Sequence, residues 1–410
     1  MIERRLARLL ERHHFAERDP KMAFVVGPRQ CGKTTLARAL QEARGSPDLY
    51  RNWDDFSWRH ELSLNPYGFA DAYRPRESAR PLAVLDEIHK FPQWKRYVKG
   101  LWDTRRSAMD LLVTGSGRLD IYRRGGDSLL GRYHQYRLHP FSVSELLGKD
   151  WDPDRDTPER VRSNLLSISK PGPEREVFAT VLRFGGFPDP FLRQTDRYHR
   201  RWLRERKERL VREDLRDLTR IQMLSSIEKM IELLQPRIGS LLSLNNLRQD
   251  LGVSMESVTL WLEQLERLYY CFRIRPYAAK LSRALSREPK LYLFDVSEVA
   301  DEGKRFENAI AVSLLSWCHH SQDWGQETLD LRFVRDKERR EVDFLVTKEG
   351  KPFLLVEAKL SDPSIPDALP RFAEKLGGVP ALVVVAHLDR PGTAKGFPVL
   401  PAAGFLAAIP

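Results

Sequence analysis

Apolar residues along this chain gather in short unbroken runs, separated by longer stretches in which they recur every three or four positions. Ala23–Val26, Leu82–Leu85 and Leu111–Thr114 are runs of the first kind. Such runs predict strands covered on both faces, as in a parallel sheet. The stretches between them, Thr35–Leu40 for example, read as helices, so residues 1–147 predict an α/β unit. Residues 148–236 are mostly of helical period, after a polar opening at Lys149–Asp156 and with a break at Pro171-Gly172-Pro173. Residues 237–280 predict a compact helical module: Leu244–Leu251, a turn at Gly252-Val253-Ser254, then Met255–Leu268 with Val258, Leu262, Leu265 and Leu268 toward a core. Tyr269–Ile274 would begin a wing. Residues 281–410 return to α/β, with strands at Leu291–Phe294, Val342–Val346, Phe353–Glu357 and Ala381–Ala386. The Pro/Gly-rich end, Gly392–Pro410, predicts a weakly ordered or wrapping tail. There is no internal repeat.

Composition narrows the class. In 410 residues, 41% hydrophobic and 10% aromatic side chains exclude a mostly disordered protein. The length suits several domains. No apolar run approaches the ~18–20 residues of a membrane span, and the opening MIERRLARLLERHHF is too charged for a signal peptide. Three scattered cysteines, Cys31, Cys271 and Cys318, exclude a disulfide framework and a paired-cysteine metal site. These features together predict a cytoplasmic protein with no membrane partner. The formal charge of +11 favours association with a polyanion.

Gly27-Pro28-Arg29-Gln30-Cys31-Gly32-Lys33-Thr34 fits GxxxxGK[ST] at every fixed position, between an apolar strand and a helix that opens at Thr35. Glycines let backbone N–H groups turn around phosphates, and the helix N-terminus adds partial positive charge. ATP with Mg²⁺ is the expected ligand, bound by Gly27, Gly32, Lys33, Thr34 and Thr35. Lys33 would reach the β/γ-phosphates and Thr34 would hold Mg²⁺. Leu82–Leu85 ends in Asp86-Glu87. Asp86 would hold the Mg²⁺ through its water, and Glu87 would orient the attacking water. Ser116, in Gly115-Ser116-Gly117, offers a hydroxyl near the γ-phosphate or is a simple turn residue. Arg132, in Leu129-Leu130-Gly131-Arg132, is an arginine finger for a neighbouring subunit or a surface arginine.

The segments GPRQCGKTTL, LDEIHKFPQW, VTGSG, LLGRYHQYRLHPFSVSEL and GGFPDP stand in an order that resembles a family of prokaryotic AAA+ type ATPases. The chain is similar to the group whose C-terminal half is a domain of unknown function with a restriction-endonuclease-like core. That resemblance implies a P-loop AAA+ core (1–147), a helical lid (148–236), a winged-helix module (237–280) and a nuclease-like α/β domain (281–410). Gly117 and Arg118 replace part of the family's serine-rich turn, which leaves Ser116 less defined than Lys33.

The stretch Tyr198–Arg220 sets nine basic against five acidic residues. Its acids recur at three- and four-residue spacing, as on a surface helix laced with ion pairs, although the arginines could also meet phosphates. In the helix–turn–helix, the second helix offers Glu256, Glu263, Gln264 and Glu266 with one Arg267. That acidity suits a protein partner better than a DNA groove. Further on, Asp343 stands among apolar strand residues, and thirteen residues separate it from Glu357 in Glu357-Ala358-Lys359. Two neighbouring strands would bring Asp343, Glu357 and Lys359 to one face. The pattern resembles the PD-(D/E)xK nuclease core, with Asp343 and Glu357 as Mg²⁺ ligands, Lys359 beside them, and Glu307 as a further carboxylate. Cleavage, binding without cleavage, and plain salt-bridged strands all remain open. Cys318-His319-His320 is read as a helix end, since consecutive helical positions cannot face one ion. Trp94 and Trp102 are read as packing residues.

The expected function is a Mg²⁺-dependent ATPase, an oligomer, acting on DNA through a nuclease-like domain. The alternative is a nucleotide-dependent switch that binds a protein partner, with the nuclease-like domain a silent scaffold.

Overall fold

Five short strands form the first sheet: β1 (Met22–Val26), β2 (Tyr50–Asn52), β3 (Leu82–Asp86), β4 (Asp110–Thr114) and β5 (Tyr133–Arg137). All neighbours run parallel, in the order β2-β3-β4-β1-β5. Every residue of β1, β3 and β4 is buried, which is why these strands read as unbroken apolar runs. Helix Lys33–Ala43 turns Leu36, Ala37 and Leu40 inward, and helix Trp94–Arg105 turns in Trp94, Tyr97, Val98, Leu101 and Trp102. The two tryptophans are thus core residues, in agreement with their reading as packing residues. The chain crosses to one side of β1 for β2 to β4 and to the other side for β5. In parallel sheets, ligands bind at the carboxyl ends of the strands where the winding direction switches, and here that place is the end of β1. This computed structural model describes residues 2–73, 80–115, 129–168, 174–215, 224–278 and 288–410, without the side chains of residues 213 and 214. It divides into two compact units, Met1–His139 and Pro140–Pro410.

The second unit opens with helices, among them Asp196–Arg209. Three more, Leu224–Leu234, Leu244–Leu251 and Met255–Arg267, share a core built from Ile227, Met230, Leu247, Val258, Leu262 and Leu265. Ser243 and Ser254 cap the last two, each side chain accepting from a backbone N–H three residues on. An eight-stranded sheet follows, in the order β12-β13-β11-β10-β9-β8-β6-β7. Its strands are β6 (Cys271–Pro276), β7 (Lys290–Leu293), β8 (Leu329–Arg335), β9 (Glu341–Lys348), β10 (Lys351–Lys359), β11 (Ala381–Val385), β12 (Gly392–Ala394) and β13 (Phe397–Pro401). Helix Glu302–Asp323 packs across it on β7, β8 and β10.

Three features differ from the expectation. The stretch read as the start of a wing is β6. It pairs antiparallel with β7 and parallel with β8, so the boundary drawn at 280 falls inside one sheet. The end of the chain is neither weakly ordered nor a tail: β13 runs parallel to β11, and Phe405, Leu406 and Ile409 are buried beneath it. Its prolines and glycines break the apolar period, but the short apolar groups between them still fill the core. Cys318, read with His319 and His320 as a solvated helix end, is instead buried within helix Glu302–Asp323. On helix Asp196–Arg209, Glu205 pairs with Arg201 and Arg209 at four-residue spacing.

Candidate functional site

The phosphate-binding loop begins where β1 ends. Gly27 has φ +153°, and a Cβ there would collide with the carbonyl oxygen of Leu138. Gly32 has φ +97°, a left-handed conformation, and immediately precedes helix Lys33–Ala43. Lys33 is buried, and its ammonium donates to the carbonyls of Gly27 at 3.0 Å and Pro28 at 2.7 Å. Backbone geometry thus holds the lysine over the loop before any phosphate contact.

Strand register assembles the other half of the site. Asn52 lies beside Asp86, and Asp86 beside Thr114, at the carboxyl ends of β2, β3 and β4. The Asp86 side chain is 1% exposed and accepts four hydrogen bonds. Thr34 Oγ1 donates at 2.8 Å, Tyr50 Oη at 2.6 Å and Asn52 Nδ2 at 3.1 Å, and the Thr114 hydroxyl completes the set. The pairing of Thr34 with Asp86 joins the two sequence motifs in one place. Hard oxygen donors of this kind, a hydroxyl beside a carboxylate, fit Mg²⁺. Tyr50 and Asn52 escape motif reading, because β2 is only three residues long and its sequence Tyr-Arg-Asn carries no apolar run; Thr114 ends an apolar run that was read as a strand, with no role assigned to its hydroxyl.

Glu87 follows with φ +57°, its N–H donating to the Thr114 carbonyl. His89 at 3.7 Å and Lys90 at 3.6 Å flank its carboxylate. Arg132 forms a two-pronged pair with Asp103, Nε to Oδ1 at 2.7 Å and Nη2 to Oδ2 at 3.2 Å. Ser116, with Gly117 and Arg118, lies outside the described residues.

The second cluster lies in the large sheet. Pairing of Phe344 with Val356 places Asp343 opposite Glu357. Asp343 Oδ2 accepts the Ala358 N–H at 3.1 Å, and Glu357 Oε2 accepts the Asp343 N–H at 3.4 Å. Lys359 lies 3.1 Å from Glu357 Oε1. Glu307, from the first turns of helix Glu302–Asp323, joins them and accepts the Tyr292 hydroxyl at 2.7 Å. The expected constellation is therefore assembled. Burial, helped by the charge of Asp343, pushes the Glu307 and Glu357 carboxyls up to about 7.

Sequence reading missed Lys290 and Glu341. Lys290 is 3% exposed, and its ammonium lies 2.6 Å from Glu341 Oε1 and 3.2 Å from both Glu307 Oε1 and Asp343 Oδ1. Burial alone would lower its pKa. The charges of Glu307, Asp343 and Glu341 outweigh that and hold it above the usual lysine range. The signal was present in both cases: Lys290 is a lone charge at the start of the apolar strand Lys-Leu-Tyr-Leu, and Glu341 shares a face with Asp343 at period two. With this ammonium among its carboxylates, the cluster does not fit a divalent cation.

Residues 19–147 match the model of a family described as an AAA domain. Residues 175–300 and 302–405 match two domains of unknown function, DUF8612 and DUF4143. The matched family and the loop-to-Asp86 geometry define the first unit as an AAA-type P-loop ATPase domain on an α/β parallel sheet. Over 375 residues the chain is 22% identical to the uncharacterized proteins Rv2008c of Mycobacterium tuberculosis and Mb2031c of Mycobacterium bovis, spanning 89% of this chain and 76% of each relative. Among solved structures it is similar to the Holliday junction branch migration motor RuvB of Thermotoga maritima (15% identity, TM-score 0.32, 65% of this chain and 87% of that one). It is also similar to AMPPCP-bound DnaA of Aquifex aeolicus (12% identity, TM-score 0.32, 64% and 86%). Superpositions this loose leave the fold to rest on its own strand order. Among the described residues no helix is long and apolar enough to cross a membrane.

Proposed function

We propose that this chain is a Mg²⁺-dependent ATPase whose nucleotide cycle serves a DNA-directed C-terminal half. The observation that carries the reading is the contact of Thr34 with Asp86 at the mouth of the phosphate loop. Gly27, Gly32 and Thr35 shape and flank the loop, and Lys33 neutralises the β/γ-phosphates. Thr34 and Asp86 would hold Mg²⁺, which supplies charge compensation on the phosphates. Glu87 orients the attacking water, with Lys90 and His89 keeping its carboxylate in place. Ser116 is proposed to touch the γ-phosphate. Arg132 is proposed to act across a subunit boundary in a homo-oligomer, exchanging Asp103 for a neighbour's nucleotide. The +11 charge supports DNA as the partner. Residues 237–280, with helices Leu244–Leu251 and Met255–Arg267 and strand β6, are read as a winged-helix module.

Steady-state turnover with Mg²⁺, alone and with single-stranded, duplex and four-way-junction DNA, tests this reading. Lys33→Ala is expected to lower turnover by about two to three orders of magnitude, the range seen when one transition-state charge contact is removed. An unchanged rate would sink the site assignment. Stimulation by one DNA form supports the DNA partner.

The second reading, a switch that binds a protein, is favoured by one surface. Helix Met255–Arg267 exposes Met255 (41%) and Leu260 (45%) beside its acids, a face better suited to a protein than to phosphates. Turnover indifferent to every DNA, and binding insensitive to salt, would select it.

A further inference from the structure

Lys290 brings its ammonium to Asp343, one of the two carboxylates that the nuclease pattern assigns to a metal, and to Glu307 and Glu341 beside it. Its backbone is fixed by two pairings: β6 pairs Ile274 with it, and an isolated bridge joins it to Leu241. The side chain then runs past the Phe333 ring, 5.8 Å from the ammonium, into the acidic cluster. An ammonium has three N–H donors. Three carboxylates, Glu307, Glu341 and Asp343, lie within 3.2 Å of it, so each donor has an acceptor. Oxygens of Asp343, Glu357 and Glu341 are engaged by other donors as well. Asp343 Oδ2 takes the Ala358 N–H, Glu357 takes Lys359 and the Asp343 N–H, and Glu341 Oε2 takes Arg335 at 2.6 Å.

Mg²⁺ needs carboxylate oxygens at about 2.0–2.1 Å in near-octahedral array. A metal drawing on Asp343 Oδ1 at that distance, together with Glu357 or Glu307, would overlap the ammonium 3.2 Å from that oxygen or sit against it as a like charge. Nothing local expels the lysine, because its stem is buried in the sheet and its charge is balanced where it is.

We infer that Lys290 is the resident cation of the Glu307–Glu341–Asp343 cluster, and that the nuclease-like domain is a metal-independent scaffold that does not hydrolyse phosphodiesters. The inference goes beyond the ATPase reading and does not depend on it. It assigns Asp343 and Glu357 to holding β9 and β10 together around a lysine in place of metal ligation.

Binding of Mn²⁺ to the full chain without nucleotide, followed by calorimetry and by electron paramagnetic resonance at pH 8, tests it. The wild type and Asp343→Asn are expected to give the same isotherm. Asparagine keeps an oxygen for the Ala358 N–H, so the comparison does not remove that contact. Lys290→Met is expected to gain one equivalent of Mn²⁺ bound at least about tenfold more tightly than any site of the wild type, and Lys290→Met/Asp343→Asn to lose it. Saturable Mn²⁺ binding by the wild type that Asp343→Asn abolishes would overturn the inference. So would plasmid nicking by the wild type that Asp343→Asn abolishes, or a Lys290→Met protein that folds and gains no site. Should Lys290→Met fail to fold, the wild-type and Asp343→Asn arms decide alone. ATP turnover is read in the same preparations, so a metal site in the wild type would leave the ATPase reading standing.

Discussion

Tyr50 supplies one hydroxyl to the nucleotide site, and no motif announces it. Its O–H reaches Asp86 at 2.6 Å while Arg38 lies over its ring at 4.6 Å. Tyr50→Phe keeps the ring and its cation and removes, with a longer bond from Asn52 Nδ2 at 3.4 Å, the hydrogen bond to a carboxylate. Such a bond is worth about 1.5 kcal/mol, or about tenfold. We expect kcat/KM for ATP to fall by about that factor with little change in Tm, and unchanged kinetics would remove Tyr50 from the site. His14 gives a second residue-scale expectation. Its ring lies between the Lys21 carbonyl and the Tyr136 hydroxyl, each at 2.9 Å, an arrangement satisfied by the neutral imidazole. Burial, with smaller contributions from His134 and Arg44 against the Lys21 bond, lowers its pKa to about 4. The folded state therefore binds fewer protons than the unfolded state between about pH 4 and 6.5. The stability from His14 is full above 6.5 and is lost as pH falls toward 4, with a slope of up to about 1.4 kcal/mol per pH unit. Denaturant unfolding across that window should show the slope for the wild type, and His14→Gln should flatten it. Lys33, Thr34 and Asp86 were legible in the sequence because their chemistry depends on local spacing. Tyr50 and Asn52 were not, because β2 carries no apolar run, and Lys290 and Glu341 showed only as charges at strand positions whose roles arise when strands distant in sequence become neighbours.

At the scale of elements, helix Asp196–Arg209 separates two kinds of arginine. Arg201 is exposed and pairs with Glu205 four residues on. Arg206 is mostly buried and lies 2.8 Å from Glu298 and 3.4 Å from Asp295, whose side chains are almost fully enclosed. Removing one partner of a buried pair leaves an uncompensated charge and costs about 3–5 kcal/mol, whereas exposed pairs contribute about 0–1 kcal/mol. Arg206→Ala should therefore lower stability by several kcal/mol and Arg201→Ala by less than about 1, as read from urea midpoints. Equal losses would refute the distinction. The sequence pattern identified a helix laced with charge pairs. It could not show which arginine turned inward, since the acids that receive Arg206 lie about ninety positions further on. Strands behaved alike: β1, β3 and β4 were readable from burial on both faces, while β2 is too short to register.

Across the whole molecule, the largest departure from the sequence reading is the end of the chain. Val399, Leu400, Phe405, Leu406 and Ile409 are all buried there. At about 1.5–3 kcal/mol for each large side chain, their burial amounts to roughly 10 kcal/mol, comparable with the total stability of an ordinary domain, about 5–15 kcal/mol. A chain ending at Pro391 should lose cooperative unfolding of the second unit and precipitate. A soluble, cooperatively folding truncation would contradict the packing described. Proline and glycine density concealed this segment, because period-based reading treats their punctuation as the absence of structure. The lysine in the acidic cluster has a consequence at this scale too. A dissolved ion can be diluted, competed for or stripped by a chelator. An ammonium carried on its own backbone has no dissociation constant, and the tether alone sets its local concentration. The two ends of the chain should then answer differently to the magnesium supply: EDTA halts turnover at the loop and leaves unfolding of the large sheet where it was. The charge balance around Asp343 is inherited with the chain and owes nothing to the ionic content of its surroundings.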